Sequence, residues 1–300
     1  MASHYHQWEV FSRSRGESAI SAAAYAARMV TWDKRYVPEP QDYRGKDDLV
    51  YSAILVPESA PEWTKDRRKL WTAVERREDR STRPQTAQLC RGCIVGFQRE
   101  LTMDQNIRVL LRYLDDQYVA DGMIVDVNVH DAPASDGGRN WHAHLLATMR
   151  EVLPDGFGLK RRDWNEVDFG LRDGLKHHRP FAMTDGFLRQ RKAVWADYVN
   201  EALANAGSEA RIDHRTLKAQ GIDRLPQPKM GKAAYADTPW AAQKRDELAD
   251  VLAYNRERER RPRKAARGFD GLPLQPKPLH ASTGSANGLI GFSPGQGRGV

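Results

Sequence analysis

Apolar and polar positions alternate along the chain with two periods, and the change of period marks the elements. Residues 3–12 alternate with period two, Tyr5 and Phe11 on one side and His6, Trp8 and Val10 on the other, which predicts a strand. Gly16, Glu17 and Ser18 open an alanine-rich run from Ile20 to Met29 with high helix propensity, and Tyr25 lies within it. Residues 31–48 mix prolines, charges and tyrosines and read as a loop. Leu49 to Val56 is an apolar, β-branched strand closed by Pro57 and Pro61. Trp63, Arg67, Leu70, Trp71 and Val74 recur at helical spacing and predict an amphipathic helix over 61–78. Residues 89–98 fit a strand interrupted by two glycines, and Thr102 caps a helix that buries Ile107, Leu110, Leu111 and Leu114.

Ile124 to His130 and His142 to Thr148 read as an antiparallel hairpin around a loop rich in Asp, Pro, Ser and Gly. Residues 150–185 have weak periodicity. Helices are expected over about 184–206 and 236–260, and from Pro262 the composition is that of a disordered, basic, Pro/Gly-rich tail. Strands and helices mix without a regular βαβ rhythm. The expected class is therefore α+β, with an antiparallel sheet.

Composition narrows the picture only a little. Three hundred residues, 40% of them hydrophobic, allow one large core or two small ones. A formal charge of +7 inclines the protein toward polyanions without requiring one. Cys90 and Cys93 are too few for a disulfide framework or a four-cysteine zinc site. No secretory-type run opens the chain and no apolar stretch approaches membrane-spanning length, so a soluble cytoplasmic protein without a membrane partner is expected. The absence of a GxxxxGK[ST] motif argues against an ATPase.

The hairpin carries the candidate chemistry. Asp126, Asn128 and His130 share one face of the first strand, and Val125, Val127 and Val129 share the other. His142 and His144 share a face of the second. Antiparallel pairing can bring the three histidines together, where they would hold a metal and leave coordination positions open. Two polar side chains on a wet face are the plain alternative for His-x-His alone. The third histidine, and the cost of burying this many polar groups without partners, favour a site.

At these residues the chain resembles a known family. VNVHD…NWHAHLL is similar to the histidine signature of HUH nucleases. SRSRGESAISAAAYAAR (12–28), the block Glu100–Gln105 and ARIDHRTLKAQGIDRLPQ (210–227) resemble, in order, the MobA/MobL plasmid-mobilisation relaxases. The resemblance implies a central antiparallel sheet flanked by helices over about residues 1–230, a helical extension over 231–261 and the tail over 262–300. It also implies that Tyr25 is the nucleophile and His130, His142 and His144 are the metal triad. The cofactor would be a divalent cation, Mn or Mg favoured by the family, although three imidazoles by themselves suit softer ions. The implied activity is site- and strand-specific nicking and rejoining of DNA at an origin of transfer, through a 5′-phosphotyrosyl intermediate. The implied partners are single-stranded origin DNA, relaxosome accessory proteins and a type IV secretion coupling protein.

One feature departs from the family pattern. The resemblance implies one or two glutamates, usual in the family, in the strand before the Glu100 block, where this chain has Gly92 and Ile94, and Asp126 is the candidate replacement. A catalytically impaired, relaxase-like single-stranded DNA-binding protein is therefore an alternative. A metal-dependent hydrolase and a rolling-circle replication initiator are others. Arg13, Arg15, Arg28, Lys34 and Arg35 around Tyr25, with Arg215 further on, are the candidate DNA contacts. Cys90 and Cys93, three apart on a strand, are expected on opposite faces as packing residues.

Overall fold

A computed structural model describes residues 4–134, 137–161, 164, 171–172, 175–176, 185–228 and 236–260. The first strand, β1 (His6–Ser12), leads to helix α1 (Ala19–Ala26) and a two-stranded ribbon of β2 (Val30–Thr31) and β3 (Gln41–Asp42). Then follow β4 (Leu49–Leu55), α2 (Arg67–Asp79), β5 (Gln88–Gly96), α3 (Met103–Leu114), β6 (Val125–Pro133) and β7 (Arg139–Thr148). The hairpin β8 (Arg150–Leu153) and β9 (Gly156–Lys160) precedes a short pair, β10 (Leu171–Arg172) and β11 (Leu175–Lys176), and helix α4 (Asp185–Asn205). The chain divides into two compact units, Met1–Asp223 and Arg224–Val300. In the second, α5 (Pro239–Arg260) packs Asn255 against the Leu225 backbone, accepting from its N–H at 2.8 Å and donating to its carbonyl at 2.9 Å. The expected tail from Pro262 lies outside the described residues.

Five strands form the central sheet in the order β1-β5-β7-β6-β4, every neighbour antiparallel. Its two faces are covered differently. Val125, Val127 and Val129 of β6 sink with Ala143, Leu145, Trp8 and Val95 against α3 and α4, which bring Leu110, Tyr113, Trp195 and Val199. Burying each such valine is worth about 1.5–3 kcal/mol, which fixes the register and obliges Asp126, Asn128 and His130 to point the other way. On that other face α1 and α2 cover Cys90, Ile124 and Leu146 with Ala19, Ala23, Leu70, Trp71 and Val74. The expected α+β antiparallel architecture is the one observed.

Local departures have local causes. The helix expected over 61–78 begins at Arg67, because extended Asp66 (φ −89°, ψ 113°) interrupts the run and caps α2, accepting from Lys69 N–H at 3.0 Å. Thr102 and Gln105 form a full capping box on α3. Residues 131–133 and 139–141 extend the central hairpin beyond His130 and His142, shortening its loop. Cys90 and Cys93 are buried, free, and packed in the two different layers.

Candidate metal centre and nucleophile

The β6–β7 register sets His130 opposite His142 and Asn128 opposite His144. Cross-strand partners share a face, so the three imidazoles converge. Their ring centroids lie 5.4 Å (His130–His142), 4.8 Å (His130–His144) and 5.1 Å (His142–His144) apart. One ligand nitrogen from each falls within 4.8 Å of the others, and this is the arrangement of three side chains able to hold a metal ion among the described residues. His130 is fully buried, while His142 and His144 are half-buried.

Burial pushes His130 down to about 4 and His144 down to about 3. Both rings are therefore neutral at pH 7, the form that ligates metals. His142 donates from Nδ1 to the Asn140 carbonyl at 2.8 Å, which orients the ring and leaves Nε2 available. His144 makes no hydrogen bond among the described residues. His130 has both nitrogens engaged: Arg28 donates to Nδ1 at 3.2 Å, and Nε2 donates to the Ala26 carbonyl at 2.7 Å. Ligation by His130 exchanges one of these two contacts for the ion. Three converging imidazoles, two with a free nitrogen, fit a divalent cation by chemistry and by convergence.

Helix α1 carries the tyrosine to this face. Ser18 caps it, accepting from Ser21 N–H at 3.2 Å and donating to Asp33 at 2.7 Å, and Glu75 on α2 accepts from Ala19 N–H at 3.0 Å. Its buried alanines, Ala19, Ala23, Ala24 and Ala26, let the helix lie close to α2 and the sheet. The Tyr25 ring meets the His144 ring edge-on at 6.1 Å and the Tyr43 ring edge-on at 5.4 Å.

Two cations flank that ring. The Arg28 guanidinium sits 4.9 Å from its centroid and the Lys46 ammonium 5.8 Å. Arg28 adopts a left-handed backbone (φ 53°), unique among the described non-glycine residues, and this turns its side chain back under α1. It is clamped by Asp48 at 2.7 and 2.8 Å, a pairing that holds the Asp48 carboxyl at about 2. Lys46 is exposed and makes no ion pair among the described residues. Sequence reasoning missed it, and its only linear signal is its place two residues before Asp48.

Asp126 shares the triad face but has no open valence. Arg67 donates to it at 2.8 and 2.9 Å, Trp71 at 2.8 Å and Asn128 at 2.8 Å, and the carboxylate is fully buried. An ionised carboxylate accepts about four bonds, so this one is saturated and does not match the catalytic role expected of it. The same network continues through Asn128, which accepts from Ser52 at 2.8 Å.

Gly92 and Ile94, the places of the absent acid, also separate. Ile94 pairs with His144 across β5–β7 and so neighbours the triad. Gly92 lies under Phe11, whose Cε2 would come within 2.5 Å of any added Cβ.

The expected DNA contacts divide too. Arg13 is withdrawn into ion pairs with Glu75 at 2.8 Å and Asp79 at 2.7 Å, a structural tie between the start of α1 and α2. Arg28 belongs to the site itself. Arg15 pairs with Glu17, Arg35 with Asp33, and Arg215 with Asp213, all three at exposed positions. Lys34 lies 4.3 Å over exposed Trp32. No described helix is long and apolar enough to cross a membrane.

Known proteins resemble this chain over most of its length. A probable conjugal transfer protein TraA of Sinorhizobium fredii is 32% identical over 255 residues, covering 77% of this chain and 21% of that protein. Mobilization protein MobL of Acidithiobacillus ferridurans is 29% identical over 78% of this chain and 63% of its own length. This chain thus spans about a fifth of the TraA relative and under two thirds of the MobL relative. A solved structure reported as "Molecular Basis of Vancomycin Resistance Transfer in Staphylococcus aureus" superposes with a TM-score of 0.54 at 26% identity, covering 71% of this chain and 98% of the other. The model of the MobA/MobL family matches residues 17–238, a span that includes Tyr25 and all three histidines, and the chain belongs to that family.

Proposed function

We propose that this chain is the strand-transfer module of a plasmid-mobilisation relaxase, working in the cytoplasm on single-stranded DNA at an origin of transfer. The observation that carries the reading is the edge-on approach of the Tyr25 ring to His144 within a triad of converging imidazoles. A divalent cation, Mn or Mg by resemblance, would be held by His130, His142 and His144 and would withdraw charge from the non-bridging oxygens of the phosphate. The Tyr25 phenol oxygen bonds to phosphorus as the bond to the 3′-oxygen breaks. The phenol proton passes to solvent, since Asp48 and Asp126 are both held by arginines, and the 3′-oxygen takes a proton from solvent as it leaves as a hydroxyl. The phosphotyrosyl bond keeps the energy of the diester, so the reverse step rejoins the strand.

The surrounding residues take roles accordingly. Arg28 positions His130 and the Tyr25 helix, and Lys46 supplies the uncommitted cation beside the nucleophile. Asp126, through Asn128, braces β6 beside the triad as a positioning residue. In this reading residues 1–230 are the catalytic module and 231–261 an extension. Relaxosome accessory proteins and a type IV coupling protein are the partners, supported by the conjugal-transfer and mobilization names of the relatives.

A second reading, a strand binder with impaired chemistry, is favoured by Ile94 standing beside His144 where the family resemblance implies an acid. One experiment separates the two. DNA flanking the gene is tiled as single-stranded oligonucleotides, Mn is added, and SDS-resistant protein–DNA adducts are sought. An adduct with the wild type that disappears in Tyr25→Phe and His142→Ala supports the relaxase. Its appearance only in Ile94→Glu supports the impaired binder.

A further inference from the structure

A groove of about 660 Å³ opens on the front face beside the triad, within the range of specific small-ligand sites. His142 lines it, but Tyr25, His130 and His144 do not. The Tyr25 ring meets His144 whereas the groove is lined by His142, so the two reach the triad at different members. In-line displacement requires the attacking and leaving oxygens to stand on opposite sides of phosphorus. Resting on the strand-transfer reading above, we infer that this groove is the subsite for the nucleotide on the 5′ side of the scissile phosphate, the one that keeps the leaving 3′-oxygen, with its base stacked on Tyr5.

The lining has the chemistry for that occupant. Tyr5 is 46% exposed, an aromatic face turned to solvent, and its hydroxyl donates to Gln7 Oε1 at 3.0 Å, which holds the ring's attitude. Gly96 lies against it: an added Cβ would approach Tyr5 Cβ to 3.1 Å, so the absence of a side chain at 96 keeps the aromatic wall in place. Arg99 and Arg139 line the same groove together with Glu100; Arg99 Nε donates to the Arg139 carbonyl at 3.1 Å and the Arg139 guanidinium is paired with Asp131 at 2.5 Å, so a phosphate backbone entering here would meet basic side chains already anchored to the protein. Asn140 adds a side-chain amide suited to a base edge, and its carbonyl is the acceptor that orients His142. A nucleotide seated there touches the residue that aims a metal ligand. Stacking on an aromatic tolerates any base and is commonly worth about tenfold in affinity.

The test uses the full chain in its Tyr25→Phe form, which holds strands uncut, with single-stranded oligonucleotides from the gene's flanking DNA. Each carries one 5-iododeoxyuridine, and ultraviolet cross-links are mapped by peptide mass spectrometry. In parallel, wild type, Tyr5→Ala and Tyr5→Trp cleave an oligonucleotide that is intact or abasic at the nucleotide 5′ of the nick. The expected cross-link falls on Tyr5 when the label occupies that nucleotide. Tyr5→Ala should raise KM about tenfold with little change in kcat, and Tyr5→Trp should restore it. The abasic site should cost the wild type about tenfold and cost Tyr5→Ala nothing further. Additive losses, or cross-links confined to other peptides, overturn the subsite. Cleavage with additive losses removes the subsite alone. A Tyr5 cross-link without any cleavage by the wild type removes the strand-transfer reading while the groove stands as a single-strand site. Neither cleavage nor cross-link removes both.

Discussion

The sheet carries buried histidines on both faces, and their fates differ. Behind it, His6 is sealed among Trp8, Tyr113 and Trp195, with Tyr113 Oη 3.1 Å from its Nε2, and burial pushes it down to about 3. In front, His130 and His144 are also pushed down by burial, yet they stand with His142 in a cluster left open by α1 and α2. Loss of charge therefore does not distinguish a site from a core. What distinguishes them is convergence on a common point, half-exposure of two members, and a tyrosine within ring contact.

The largest effect expected from that contrast is His144→Ala, which should reduce strand transfer at least a thousandfold while moving the thermal midpoint little, as read by adduct formation beside calorimetry. Next is Arg67→Ala, which leaves Asp126 buried and unpaired. It should cost about 3–5 kcal/mol of stability in urea titrations, with catalysis lost only as the fold is lost. A catalytic collapse without destabilisation would return Asp126 to the reacting groups.

Acid sharpens the back face. His6 binds a proton in the unfolded chain near pH 6.5 but in the fold only near pH 3, so between these values the unfolded state holds more protons. Stability should therefore fall as pH drops from about 6.5 toward 3. His6→Leu should flatten part of that slope in thermal melts across the window, while an unchanged slope would assign it to other groups. The smallest effect is Lys46→Ala, expected to slow adduct formation about tenfold, with Lys46→Arg restoring most of it. No change on charge removal would leave Lys46 outside the reaction.

The sequence displayed the triad because a strand's period is two and the hairpin is local: the valines at 125, 127 and 129 declare one face, and the histidines follow on the other. Family resemblance, not periodicity, marked Tyr25. What stayed hidden depended on distant partners. Asp126 looks free in a linear reading, and only the fold brings Arg67 and Trp71, 59 and 55 residues away, onto its oxygens. Arg13 looks like a DNA contact until Glu75 claims it. Gly92 looks like a lost glutamate until Phe11 is seen above it. The β8–β9 hairpin was missed although Pro154, Asp155 and Gly156 spell its turn, with Gly156 at φ 133°.

The unbroken pairing from Val125–Ala147 to Pro133–Arg139 has a consequence for how this site can vary. A strand stores side-chain direction as parity. Insertion or loss of a single residue between His130 and the turn, or between the turn and His142, would send one strand's histidines into the valine layer. Changes by two would keep the face but shift the histidines along it by about 7 Å. Only the connection between Pro133 and Arg139 can change length without touching the parity of either strand. Diversity among such sites is thus channelled into the hairpin tip and the flanking helices, while the chemistry stays on a frame that admits no fractional steps.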